Sequence, residues 1–364
     1  MTAVPQNATP VEPGSVSLSS AATVPSVKPL RVVAIGGGTG LSTLLRGLRR
    51  YVAVPGLPSS EPAQIADLAA VVTVTDDGGS SGRLRKDFKM LPPGDLRNCM
   101  VALSEEEDVL AQLFAHRFRS TGALEGHNFG NLFVAALTEI TGDFAHAIQL
   151  ASKILSTRGR IYPVTTANAT LVARMDDGSL VRGETSISAT RRRIEELMLE
   201  PPDAAAVPET LEAIERADLI TVGPGSLYTS LVTNLLVRGI PQALARSRGV
   251  RVYICNLMTQ ANESLGLTAA DHVRALNAHA QKPLFDYALI NRTPASEELK
   301  AKYAGEGACQ IVNDLDAVEE LGVIPVLGDY LEEAGVARHN TTRVARDLLE
   351  LVSQQPRPDI SKHM

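Results

Sequence analysis

Two adjacent carboxylates, Asp76 and Asp77, close the apolar run 68–75 and are followed by Gly78-Gly79-Ser80-Ser81-Gly82. Acids at the end of a buried strand can recognise ribose or base groups, or hold Mg²⁺ against phosphates, since hard cations take oxygen ligands. The same residues can instead form an Asx-capped turn. A second kind of chemistry lies upstream, where Arg31-Val32-Val33-Ala34-Ile35 runs into Gly36-Gly37-Gly38-Thr39-Gly40. Leu41, Leu44, Leu45 and Leu48 then recur at helical spacing, so the pattern is strand, tight turn, helix. Glycine lets backbone approach a phosphate, and the first amides of a helix, aided by its dipole, face the anion. Residues 218–222 and Gly223-Pro224-Gly225-Ser226-Leu227-Tyr228-Thr229-Ser230 repeat this logic. Two anion-ready turns in one sheet suit a diphosphate, or a nucleotide with a second charged group.

Neither turn is a named motif. The dinucleotide fingerprint requires glycine where Leu41 stands, and the phosphate loop requires a lysine that is absent. The interval from Gly36 to Asp76 also exceeds the roughly 20 residues of the nicotinamide fingerprint. Other polar groups gather at expected helix starts. Asp95, Arg97 and Asn98 form either a functional cluster or a structural ion pair. Asn128 and Asn131 are placed to cap a helix or to bind phosphate and sugar hydroxyls, and His127 reads as a hydrogen-bonded cap. Arg338 and His339 precede a final helix, where Arg338 could supply a bidentate phosphate contact or be a surface arginine. Thr341 beside them reads as a phosphorylation site, because a phosphate there would meet the helix dipole and the basic pair.

The elements needed to position these residues follow an α/β alternation, which predicts a mostly parallel, Rossmann-like sheet with helices on both faces. The expected domain covers residues 30–354. It includes an inserted β-hairpin at about 162–190, turned by Asp176-Asp177-Gly178, followed by a charged surface connection over 191–203. Residues 1–29, rich in Pro, Ser, Thr, Ala and Val, read as a disordered extension, and 355–364 as a flexible tail. Ser104 followed by Glu105, Glu106 and Glu107 matches a helix-capping box, with Val109, Leu110, Leu113 and Phe114 as the buried face behind it.

Net charge is −6 over 364 residues, which argues against nucleic acid as a partner. Cys99, Cys255 and Cys309 are few and widely spaced, fitting a reducing compartment and offering no metal spacing. No apolar run approaches the roughly 20 residues of a membrane span. The expectation is a cytoplasmic protein without membrane or metal; a homodimer suits such sheets, although no sequence feature fixes the oligomeric state.

Six stretches occur in a familiar order. They are residues 35–40, 75–82, Pro92-Pro93-Gly94-Asp95-Leu96-Arg97-Asn98, Gly126-His127-Asn128-Phe129-Gly130-Asn131, 223–230 and Asn256-Leu257-Met258-Thr259-Gln260. Over roughly residues 31–352 the chain resembles the bacterial YvcK family of gluconeogenesis factors, related to the CofD 2-phospho-L-lactate transferases. The resemblance implies a CofD-like core and a regulatory role linking gluconeogenic carbon metabolism to cell-wall synthesis and cell shape. It also implies UDP-N-acetylglucosamine as ligand, with cell-wall synthesis proteins and a Ser/Thr kinase as partners. By the same resemblance Gly37, Gly38, Thr39, Asp76, Asp77, Gly78, Asn98, Asn128, Asn131, Asn168, Gly223, Pro224, Gly225, Ser226, Leu227 and Arg338 bind the ligand. The alternative is a transferase using a nucleotide diphosphate-activated donor, with Asp76, Asp77 or Asp95 as catalytic candidates and Mg²⁺ as cofactor. The Gly-Gly-Ser-Ser-Gly and Gly-Pro-Gly-Ser-Leu-Tyr forms here resemble the YvcK branch. A third reading, NAD in the same cleft, rests only on its general fit to nucleotide diphosphates.

Overall fold

The computed structural model describes residues 29–53, 64–104, 109–119 and 121–354. The expected N-terminal extension up to residue 28, the acidic part of the capping box and the C-terminal tail lie outside them. Among the described residues no helix is long and apolar enough to cross a membrane.

Seven parallel strands form the central sheet. They are β1 (Leu30–Gly36), β2 (Ile65–Val72), β3 (Arg160–Pro163), β7 (Leu219–Val222), β8 (Val250–Ile254), β9 (Tyr287–Asn291) and β10 (Ile324–Gly328). Their spatial order is β10-β9-β8-β7-β1-β2-β3. Strand β1 pairs with β2 on one side and with β7 on the other, Ala34 lying opposite Ala70 and Thr221. The chain thus winds outward from β1 in one direction, returns, and winds outward from β7 in the other. Loops leaving β1 and β7 diverge at this reversal, which opens a crevice at their carboxyl ends. Val32, Val33, Ala34 and Ile35 are all buried, as expected of a central strand covered on both faces.

A second sheet of three antiparallel strands, β4 (Thr170–Met175), β5 (Leu180–Arg182) and β6 (Ile194–Glu200), has the order β5-β4-β6. The expected hairpin is therefore part of a three-stranded unit. The stretch read as a charged surface connection contributes its third strand, because Ile194, Leu197 and Leu199 are buried between exposed acids.

Helix α1 (Gly38–Arg49) buries Leu41, Leu44, Leu45 and Leu48, α2 spans Gly79–Phe88, and α3 spans Gly94–Leu103. The final helix, Thr341–Gln354, returns to pack on α1 through Val344, Ala345, Leu348 and Leu349. It approaches so closely that a Cβ on Gly47 would strike the Thr341 backbone. A short hairpin, β11 (Leu331–Glu333) with β12 (Ala337–His339), delivers the chain to that helix. Arg338 therefore lies on a strand, not within a helical start.

Candidate functional site

The crevice at the β1/β7 reversal is a cleft of about 500 Å³. One wall is Gly37, Gly38, Thr39 and Gly40, a second is Pro224, Gly225, Ser226 and Ser230, and the floor is formed by residues 256–261 after β8. Tyr303, Glu306, Ala337 and His339 complete the rim. The two turns interlock: a Cβ on Gly40 would run into the Pro224 carbonyl. Gly38 has φ +60°, a conformation that favours glycine.

The first turn is braced by Asp95, whose Oδ2 accepts the Gly38 amide at 2.8 Å. Desolvation raises the Asp95 carboxyl to about 6; the Gly38 N–H works against this, Asp76 adds to it and Arg97 opposes it. Asp95 is the second residue of α3, two positions past the Pro93 cap, and its carboxylate serves α1. The amides of Thr39 and Gly40, in the opening turn of α1, have no carbonyl four residues back to bond within the helix.

The second turn is built differently. After Ser226 the chain forms a wide π-helical turn, Leu227–Val232, in which the Leu231 amide reaches back five residues to the Ser226 carbonyl at 3.1 Å. Glu263, buried, accepts the Tyr228 amide at 3.2 Å and the Thr229 hydroxyl at 2.6 Å. Burial raises its carboxyl, and these donors hold it down. The Gly225 amide is taken by Asn256 Oδ1 at 3.4 Å. A protein carboxylate thus occupies the helix start that the sequence offers to a ligand, and Leu227 is fully buried.

The Asp76–Gly82 loop follows β2 next door and is largely self-bonded. Asp76 Oδ1 accepts the Gly78 amide at 2.8 Å, the Asx-type turn. Asp77 Oδ1 accepts both the amide and the hydroxyl of Thr185, at 2.8 and 2.6 Å, tying the loop to the small-sheet unit. Ser80 Oγ, near His127 Nδ1 at 3.2 Å, also accepts from Asn131 Nδ2 at 3.2 Å. Asn128 caps the helix Phe129–Thr141 and donates to the Ala115 carbonyl at 3.1 Å. Arg97 Nε donates to Asn131 Oδ1 at 3.3 Å, and Arg85 Nε to Asn168 Oδ1 at 2.9 Å. Asn128, Asn131 and Asn168 therefore act in the structure as internal braces, Asn98 lies on α3, and none of the four lines the cleft.

Acidic groups missed by the sequence reading stand along this side. Burial, reinforced by Asp76, Asp95, Glu263 and Asp77, pushes the Glu184 carboxyl up to about 9. Glu184 opens a short helix after Gly183 and Glu263 lies in the loop after β8, and neither belongs to the two turns that wall the cleft; only the three-dimensional approach of their segments marks them. Tyr303 and Glu306 likewise reach the rim from a separate helix end. Among the described residues no three His, Cys, Asp or Glu side chains converge as a metal cage. Arg338 is exposed and lies between two cleft-lining residues, Ala337 and His339.

A doubly wound sheet with its cleft at the switch point, walled by two glycine turns, defines a CofD-type α/β protein. Residues 32–331 match the family model described as 2-phospho-L-lactate transferase CofD. Within that class, the gluconeogenesis factor of Halalkalibacterium halodurans is 46% identical over 326 residues, 89% of this chain and 97% of that one. The Bacillus subtilis gluconeogenesis factor is 43% identical over 326 residues, covering 89% and 98%. A crystal structure of a Bacillus halodurans protein superposes with a TM-score of 0.83 at 45% identity, covering 88% of this chain and all of that one. The chain belongs to the gluconeogenesis-factor family.

Proposed function

We propose that the cleft binds a nucleotide sugar, UDP-N-acetylglucosamine, and that the protein is a regulator coupling gluconeogenic carbon metabolism to cell-wall synthesis and cell shape. The observation that carries this reading is the first glycine turn: amides of Thr39 and Gly40 border the cleft at a helix N-terminus, where a diphosphate is favoured. The second turn, its donors engaged by Glu263 and Asn256, serves as the opposing wall. Arg338, exposed and with no carboxylate partner among the described residues, stands on the strand face turned away from Ala337 and His339, so in this reading it supports the diphosphate only as nearby positive charge acting at longer range. Thr341, the first residue of the final helix, accepts a phosphate from a Ser/Thr kinase in this reading, and the cell-wall synthesis proteins receive the signal. Calorimetric titration with UDP-N-acetylglucosamine, against UDP, NAD and GTP and with or without Mg²⁺, is the test. Selective binding that survives a chelator and returns intact ligand is the expected result.

One observation favours the transferase alternative. Asp76 stands close enough to Asp95 to help raise its carboxyl, so two acids share one neighbourhood, as expected where a cation is to be held. Mg²⁺ sites of this kind use one or two carboxylates with substrate phosphates, so a three-acid cage is not required. Asp76 and Asp95 fit that role better than Asp77, which is bonded to Thr185. When bound, the ion would stabilise charge on a transferring group. Mg²⁺-dependent product formation from a guanine nucleotide donor, lost in Asp76→Asn, would replace the regulatory reading by this one.

A further inference from the structure

Antiparallel pairing of β12 with β11 sets Leu331 opposite His339 and Glu332 opposite Arg338. Strand alternation then sends Ala337 and His339 to one face and Arg338 to the other, and Ala337 and His339 both line the cleft. The His339 ring is fixed by one contact, Nε2 to the Cys255 carbonyl oxygen at 3.0 Å, at the end of β8. A carbonyl oxygen only accepts, so Nε2 carries the proton, and the neutral ring keeps a bare lone pair on Nδ1. Burial lowers the ring to about 4, opposed by the Cys255 carbonyl, so it stays neutral at ordinary pH. It therefore cannot serve as a cation for phosphate.

The polarity of the cleft is thus divided. The first glycine turn offers N–H and O–H donors, which suit phosphate oxygens, whereas His339 offers an acceptor, which suits a hydroxyl or an amide N–H. We propose that His339 is a specificity-determining residue that reads a hydrogen-bond donor on the non-phosphate part of the bound nucleotide sugar through Nδ1. This rests on the reading of the cleft given above. The donor belongs either to the uridine or to the sugar, and the ligands used in the test separate the two.

The test compares wild type, His339→Gln and His339→Asn, each titrated with UDP-N-acetylglucosamine and with UDP, alongside thermal melts. Glutamine can keep an N–H on the Cys255 carbonyl but has no acceptor where Nδ1 stood. Asparagine can keep an acceptor near Nδ1 but loses the Cys255 bond. The expected result is an affinity loss of about tenfold in His339→Gln at a near-wild-type melting temperature. His339→Asn is expected to stay within about twofold in affinity while melting lower. Loss with both ligands locates the donor on the uridine, and loss with the sugar nucleotide alone locates it on the sugar. Unchanged affinity in His339→Gln, or the reverse pattern between the two variants, overturns the proposal and leaves the cleft reading standing. Wild type that binds neither ligand overturns both.

Discussion

The two glycine turns look alike in sequence and differ in what they leave open. After β1 a single amide, that of Gly38, is taken by a carboxylate, and Asp95 supplies it with a proton affinity raised to about 6. After β7 the helix start is closed by Glu263, and Asn256 takes the amide of the turn itself. A strand, glycines and a helix start are therefore a permission for anion binding, not a site. Whether the amides remain available is decided by acids arriving from elsewhere in the chain, 57 residues away for Asp95 and 35 for Glu263.

The sharpest way to break this comparison is Gly40→Ala. The added Cβ has nowhere to go but the Pro224 carbonyl, so the two walls must separate. Nucleotide-sugar affinity should fall by more than about a hundredfold, with a lower melting temperature; calorimetry showing wild-type affinity would show that the interlock is irrelevant. Glu263→Ala comes next. It leaves the Tyr228 amide and the Thr229 hydroxyl buried without their acceptor, at a cost of roughly 2–4 kcal/mol in urea unfolding. Affinity should change little, whereas a clear gain would mean that the second turn takes the anion once its own acid is removed.

Asp95→Asn probes the open turn and carries a pH signature. The folded carboxyl is raised to about 6 from an ordinary 3.8, so the folded state holds the proton more tightly than the unfolded one. Its stability contribution is complete below about pH 4 and is lost as pH rises through 6. Asparagine keeps an oxygen for the Gly38 amide without the charge. The variant should be more stable than wild type at pH 8, by an amount on the order of 2 kcal/mol, with the gap narrowing below pH 6 and closing towards pH 4. It should also bind the diphosphate a few-fold more tightly at pH 8, and a gap that is flat in pH would contradict the assignment. The smallest effect is expected for Arg338→Ala, about a threefold to fivefold loss that shrinks as salt is added, because the guanidinium is exposed.

Much of the sheet was legible because parallel strands buried on both faces read as short apolar runs. The leucines at helical spacing, Leu41, Leu44, Leu45 and Leu48, are the buried face of α1, and the run 218–222 contains β7. The reversal of strand order, which makes the cleft, is not written in any local pattern, because alternation predicts parallel strands but not their order in space. What failed to show was long-range. Val109 and Leu113, expected in the core, are exposed, since a seven-residue helix has room for one narrow buried stripe, here Ala111 and Phe114. Strand β6 was hidden by its acids, which occupy the outward positions of an alternating strand. Asn128 and Asn131 look the same in sequence whether they bind a ligand or a neighbouring serine. The position of Arg338 depended on a three-residue hairpin strand too short to announce itself.

The close contact between Gly47 and Thr341 gives α1 a role beyond packing. One end of this rigid rod borders the cleft, and the other is gripped by the start of the final helix with no slack for even a methyl group. A close-packed contact of this kind is a route by which a displacement at one end would reach the other. Linkage then makes the exchange symmetrical: a group added at Thr341 that changes affinity in the cleft by some factor has its own equilibrium changed by that same factor when the cleft is filled.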